Sequence, residues 1–216
     1  MPAIDLRKYM SSAQVCKLLR VTAVAAQYAT SPHACAHTAW AVVDTALGTG
    51  LRPCELAALR IEDLDVTIGS LMVVRRKKRQ PSPKPEPLAI SPSLAQHLSD
   101  YVRRSGRLSG PLFVGQRGPM TKRGIQQAWG GAVQRAGLPA HYSIKSARHT
   151  VAVTLLRRTG SIRAVQAQLA HASPVTSANM YSVIGFEQLQ AALTDLYSTE
   201  PSSHLPSHPL PDISGK

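Results

Sequence analysis

Two arginines, two adjacent lysines, a histidine and a tyrosine stand in this chain at separations that fit one chemistry. They are Arg52 at the end of TGLR, Lys77 and Lys78 within the basic run RRKKR at 75–79, Arg148 in RHT, His171, and Tyr181 ten positions later. A guanidinium fork holds a phosphate through two parallel hydrogen bonds. A tyrosine hydroxyl titrates near pH 10, so it becomes a nucleophile only beside a base or in a cationic field. Lysine with cationic neighbours has a lowered pKa and can give a proton to a leaving oxygen. Such a set could hold a phosphodiester, attack it with a phenolate and protonate the departing oxygen. Each residue also has a plainer reading. Arg52 precedes Glu55 by one helical turn and could be a surface ion pair. Arg148 could be a solvated helix arginine, the 75–79 run a backbone-binding patch, His171 a helix-terminal cap and Tyr181 half-buried core. It is their order and spacing that favour the chemical reading.

These groups must be held by local elements whose signals are readable. Ser11 with Gln14 predicts a capping box, followed by a helix with Val15, Leu18, Leu19 and Val21 on its apolar face. A second helix is predicted over about 34–47, ended by Gly48 and Gly50, and Pro53 suits the first turn of a short helix over 54–59. Residues 70–74 read as a strand and 87–90 as its partner. The RRKKRQPSPKPE segment between them contains prolines that exclude a continuous central strand, which makes a β-hairpin with a long basic tip. Ser91-Pro92 opens a helix to about Arg104, 112–114 is expected to add a third strand, and Thr121 caps a helix to about Ala136. Further helices are predicted over 145–158, stopped by Gly160, from Ser161 to near His171, around Tyr181, and over 186–197. The last 19 residues, STEPSSHLPSHPLPDISGK, have the composition of a disordered tail, so 1–197 is expected to form one domain and 198–216 the tail.

Composition narrows the partners. The chain has 216 residues, 44% of them hydrophobic but only two Phe and two Trp, which implies an aliphatic, alanine-rich and mainly helical core. Its formal net charge of +13 points to a polyanion, with nucleic acid first. Cys16, Cys35 and Cys54 form no CxxC pair and are expected to be buried thiols rather than metal ligands or a disulfide. No apolar run reaches transmembrane length, so no membrane partner and a cytoplasmic location are expected.

Two longer stretches carry a family resemblance. ALGTGLRPCELAALRIEDLD at 46–65 resembles the first arginine box of the tyrosine recombinases (the phage integrase family), and KSARHTVAVTLLRRTGSIRAVQAQLAHAS at 145–173 resembles the second. The interval of 23 from Arg148 to His171 matches the family's, and the opening RKYMSSAQVCKLL looks like the domain's usual first helix. The resemblance implies an α+β fold: a mainly helical catalytic domain with a small antiparallel sheet and a basic β-hairpin. It implies that Arg52 and Arg148 clamp the non-bridging oxygens of the scissile phosphate, with Lys145 donating to the same phosphate. Lys77 would be the general acid, with Lys78 as the fallback, and His171 would bind the phosphate and assist proton transfer. Tyr181 would form a 3′-phosphotyrosyl bond and release a 5′ hydroxyl, with no metal, ATP or other cofactor. Arg75, Arg76, Lys78 and Arg79 on the hairpin, and Lys122 and Arg123 on the 121–136 helix, would contact DNA. Double-stranded DNA is the implied partner, bound by a homotetramer on two sites in a nucleoid-associated setting.

Four features depart from the family's pattern. Lys145 stands where histidine is usual, His171 and Tyr181 are one residue further apart than usual, and the hairpin is long and proline-rich. The fourth is that the usual N-terminal core-binding domain is not expected, and an accessory protein could replace it. These departures keep two other readings open: a non-catalytic DNA-binding regulator on a decayed recombinase fold, and a type IB topoisomerase-like relaxing enzyme.

Overall fold

The structure is a computed structural model that describes residues 9–29, 35–74 and 84–169. The hairpin tip, the segment from 170 onward and the expected tail lie outside the described residues. α1 (Ser12–Gln27) begins at the predicted capping box: the Ser11 hydroxyl accepts from Gln14 N, and the Gln14 side chain accepts from Ser11 N at 2.8 Å. Its buried stripe is Leu18, Thr22 and Ala26, and Thr22 satisfies its hydroxyl on the carbonyls of Leu18 and Leu19.

α2 (Cys35–Thr49) is the hub, packed by α1, by α4 (Pro92–Ser105), α5 (Lys122–Arg135) and α6 (Ile144–Thr159). Contact on so many sides explains why Ala39, Ala41, Val42, Val43 and Ala46 are all buried, and why the helix shows no clean polar face. Two of its buried threonines bond back along the helix, Thr45 to the Ala41 carbonyl at 2.6 Å and Thr49 to that of Thr45 at 2.5 Å. The helix runs two residues past the predicted end. Gly48 lies inside it, where an added Cβ would sit 2.6 Å from Leu94 Cδ2, so its role is the close approach of α4 rather than termination. Gly50, at φ +69°, ends it.

A short helix, α3 (Pro53–Ala58), follows with Pro53 in its first turn, as the sequence predicts. The sheet then forms from β1 (Leu64–Asp65), β2 (Ser70–Val74) and β3 (Pro85–Ala89) in the order β1-β2-β3, all antiparallel. In the β2–β3 pair, Leu71 opposes Leu88 toward the core while Met72 opposes Pro87 and Val74 opposes Pro85 on the outer face. Ile90 N donates to the Gly69 carbonyl at 2.9 Å, which makes 69/90, 71/88 and 73/86 the hydrogen-bonded pairs. Pro85 and Pro87 therefore fall where a strand N–H would point to the open edge. The missing donors cost the ladder nothing and discourage strand addition there.

Two expectations fail. Residues 112–114 do not join this sheet. Leu112 N donates instead to the Leu59 carbonyl at 2.8 Å, both Leu112 and Phe113 enter the core, and Val114 starts a separate ribbon of β4 (Val114–Gly115) and β5 (Gly118–Pro119). Two adjacent residues both buried is not the alternation of a half-buried strand. The three cysteines are exposed rather than buried. Cys16 lies about 200° around α1 from Leu18, while Cys35 and Cys54 stand at the first turns of α2 and α3. Their apolar neighbours in sequence are not their neighbours on the helix face.

From Thr121 to Leu169 the helices follow the prediction in outline, and those expected around Tyr181 and over 186–197 lie outside the described residues. Thr121 caps α5 through Gly124 N, and Trp129 anchors that helix by donating its indole N–H to the Tyr142 carbonyl at 2.8 Å. α6 ends at Gly160, φ +62°, and α7 (Ile162–Leu169) returns to pack Val165 and Leu169 on Ala152, Val153 and Leu156. No helix among the described residues is long and apolar enough to cross a membrane.

Candidate active site

The site is built on the turn that joins α2 to α3. The last carbonyls of a helix have no intrahelical partner, and the left-handed Gly50 swings its own carbonyl out of line with them. Two residues later Arg52 occupies the N-cap of α3 and Glu55 its third position. Glu55 Oε2 accepts from Arg52 N and Oε1 from Arg52 Nη1, both at 2.7 Å. The carboxylate side chain is 5% exposed and the arginine 41%. A buried acid with both oxygens engaged thus fixes one edge of a guanidinium whose remainder faces outward. Among the described residues, Glu55 is its ion-pair partner. The ion pair that the one-turn spacing allows is therefore present, with its carboxylate buried rather than on the surface.

Arg148, in the second turn of α6, comes to the same turn from the other side. Its Nη1 donates to the Gly50 carbonyl at 2.9 Å and its Nη2 to the Leu169 carbonyl at the end of α7. One fork therefore joins the residue two before Arg52 to the residue two before His171. Gln168 reinforces the junction, with Nε2 donating to the carbonyls of Thr49 and Ala89 at 3.4 Å each. Leu169 closes it by packing on Gly50, where an added Cβ would lie 2.5 Å from Leu169 Cδ2. On the far flank of α6, Thr150 Oγ1 accepts from Met10 N at 2.9 Å and donates to the Ser146 carbonyl at 2.7 Å, which pins the start of the described chain to this helix.

Lys145 is exposed in the first turn of α6, three positions before Arg148 and so on the same side of the helix. Lys122 and Arg123 are exposed in the first turn of α5, with Gln126 and Gln127 one turn on. Arg123 and Gln127 line a groove of about 560 Å³ that continues past Gln116 and Arg117. The structure thus joins Arg52 and Arg148 through the 49–52 turn and places Lys145 beside Arg148. Arg75, Arg76, Lys77, Lys78, Arg79, His171 and Tyr181 lie outside the described residues.

Sequence reasoning missed the Gly50 carbonyl and Gln168. A glutamine one position before the buried Leu169, on the flank of the Val165/Leu169 stripe, was the available signal. Another polar group stands apart from the site. Burial, with Arg104 second, pushes the pKa of His37 down, and its buried Nε2 has no hydrogen-bond partner among the described residues. It lies near the opposite end of α2 from Gly50.

A mainly helical domain with a small antiparallel sheet, in which one arginine at a helix-to-helix turn and a second reaching that turn from α6 are brought together, has the architecture of a tyrosine recombinase catalytic domain. Residues 8–186 match the Phage integrase family, and the chain belongs to it. Tyrosine recombinase XerC of Oceanobacillus iheyensis is 30% identical over 156 residues, covering 70% of this chain and 51% of that protein. XerC of Chromohalobacter salexigens is 32% identical over 157 residues, covering 70% and 50%. The chain spans about half the length of these curated relatives. Among solved structures, XerA recombinase superposes with a TM-score of 0.69 at 22% identity, over 93% of this chain and 67% of that one. The XerH site-specific recombinase bound to a palindromic difH substrate also gives 0.69, at 18% identity, over 85% and 52%.

Proposed function

We propose that this chain is a site-specific DNA recombinase that cuts and rejoins strands through a 3′-phosphotyrosyl intermediate. The observation that carries the proposal is the pair of arginines held to one turn in a member of the phage integrase family. Arg52 and Arg148 hold the non-bridging oxygens of the scissile phosphate, and Lys145 adds a third cation. Tyr181 Oη attacks phosphorus while the bond to the 5′ oxygen breaks. Lys77, or Lys78 in its place, protonates that oxygen, and the phenol proton passes to a neighbouring base, for which His171 stands ten positions earlier. A 5′ hydroxyl from the other strand then attacks the phosphotyrosine, restoring the phenol and a phosphodiester. One ester is exchanged for another at each step, so the cycle needs no ATP and no metal. Arg75, Arg76, Lys78 and Arg79 on the hairpin contact backbone phosphates. Lys122 and Arg123 lead α5 toward a groove, where Gln126 and Gln127 are placed to read base edges. Four copies act on two DNA sites. Residues 1–197 make up the catalytic domain.

The test is a nicked suicide DNA bearing the genuine site, from which the cleaved strand cannot be religated. Wild-type protein is expected to give a covalent adduct that survives denaturation, and Tyr181→Phe none, with DNA affinity unchanged and falling as salt rises. Tight, site-specific binding without adduct would instead support a DNA-binding regulator. Relaxation of a plasmid that lacks the site would support a topoisomerase-like enzyme.

A further inference from the structure

We propose that Gln168 is a positioning residue that sets the turn carrying Arg52 by joining it to the edge of the sheet. This rests on the recombinase reading only for its kinetic consequence. The Thr49 carbonyl is one of those that the end of α2 leaves without a helical partner. Ala89 opposes Ser70 in a non-hydrogen-bonded pair on the edge strand, so its carbonyl points away from β2. One amide of Gln168 serves both at 3.4 Å, and the neighbouring Gly50 carbonyl takes Arg148 Nη1 at 2.9 Å. The 49–50 turn is thereby held from α6, α7 and β3 at once. Arg52 follows two residues later, with one edge of its fork already taken by Glu55. A shift at Thr49 is therefore passed to the half of the guanidinium that faces outward. Leucine at 168 would keep the bulk and lose the donor, and glutamate would keep the shape while setting an acceptor against two carbonyls.

Gln168→Leu and Gln168→Glu are to be compared with wild type at saturating DNA. Both are expected to slow covalent adduct formation by about 10- to 100-fold, the usual scale for a misplaced group, with DNA affinity unchanged. Because the defect acts through Arg52, it should shrink on DNA whose scissile phosphate is a methylphosphonate, where one non-bridging negative charge is gone and an arginine is needed less. A readout independent of activity is hydrogen–deuterium exchange. Peptides covering 46–56 should exchange faster in both variants while those of α1 and α4 do not change. Unchanged exchange in 46–56 overturns the proposal whether or not the protein cleaves DNA. So does wild-type cleavage by either variant, or a defect of equal size on methylphosphonate DNA. Absence of adduct in wild type would count against the recombinase reading alone, leaving the exchange result to decide the role of Gln168.

Discussion

Arg148→Ala is expected to lower the rate of covalent adduct formation by about 10³-fold, the upper end for loss of one preorganised donor at a developing charge. Two losses combine. Under the proposed function the phosphate loses a cationic fork, and the carbonyls of Gly50 and Leu169 lose the group that binds them together. Arg148→Lys should recover little, because a single ammonium cannot bond both carbonyls in the plane of a fork and still face a phosphate. Single-turnover cleavage at saturating DNA measures this, and recovery by lysine to within a few-fold of wild type would contradict it. Arg52→Ala should be milder for stability, since Arg52 caps from the rim with a half-exposed side chain while Arg148 joins α6 to α7 and to the turn.

Gly50→Ala is expected to cost about 2–4 kcal/mol of folding stability, from a left-handed backbone and from crowding against α7. The φ of +69° is one source, and a Cβ 2.5 Å from Leu169 Cδ2 and 3.3 Å from Val151 Cβ is the other. Gly106 separates them, because it has φ +66° with nothing within 4 Å of an added Cβ. Gly106→Ala should cost only the backbone part, about 1 kcal/mol. Urea unfolding of the two variants gives the difference, and equal losses would show that the Leu169 contact is unimportant. Gly50→Ala should also lose cleavage out of proportion to its stability, since the new Cβ presses on Leu169, whose carbonyl binds Arg148.

Much of this was legible in the sequence because its causes are local. The Ser11/Gln14 box, Pro53 at the start of α3, Thr121 before α5 and Gly160 after α6 all act within four residues of themselves, and each element begins or ends where they say. The Arg52–Glu55 pair was legible for the same reason. What was hidden depends on which distant surfaces meet. Arg148 lies 98 positions from Gly50, and Gln168 lies 119 from Thr49, so no window of sequence contains either contact. Gly48 was misjudged because a glycine that ends a helix and one that admits a neighbouring leucine look alike until Leu94 is placed. The cysteines were misjudged because apolar neighbours along the chain do not decide which side of a helix faces the core. Residues 112–114 were misjudged because a short apolar run has no period, and its pairing with Leu59 came from the fold.

The proposed function requires that a tyrosine of this chain become esterified to DNA beside Arg52 and Arg148, which meet at the 49–52 turn. The most direct test is to trap the adduct on suicide DNA, digest it with protease and nuclease, and locate the nucleotide by mass spectrometry. A single modified peptide is expected, with the phosphate on Tyr181 and joined to the 3′ side of the cleaved strand. A nucleotide on Tyr197 or any other residue, a 5′-phosphate linkage, or no covalent product from a protein bound tightly to its own site would contradict it.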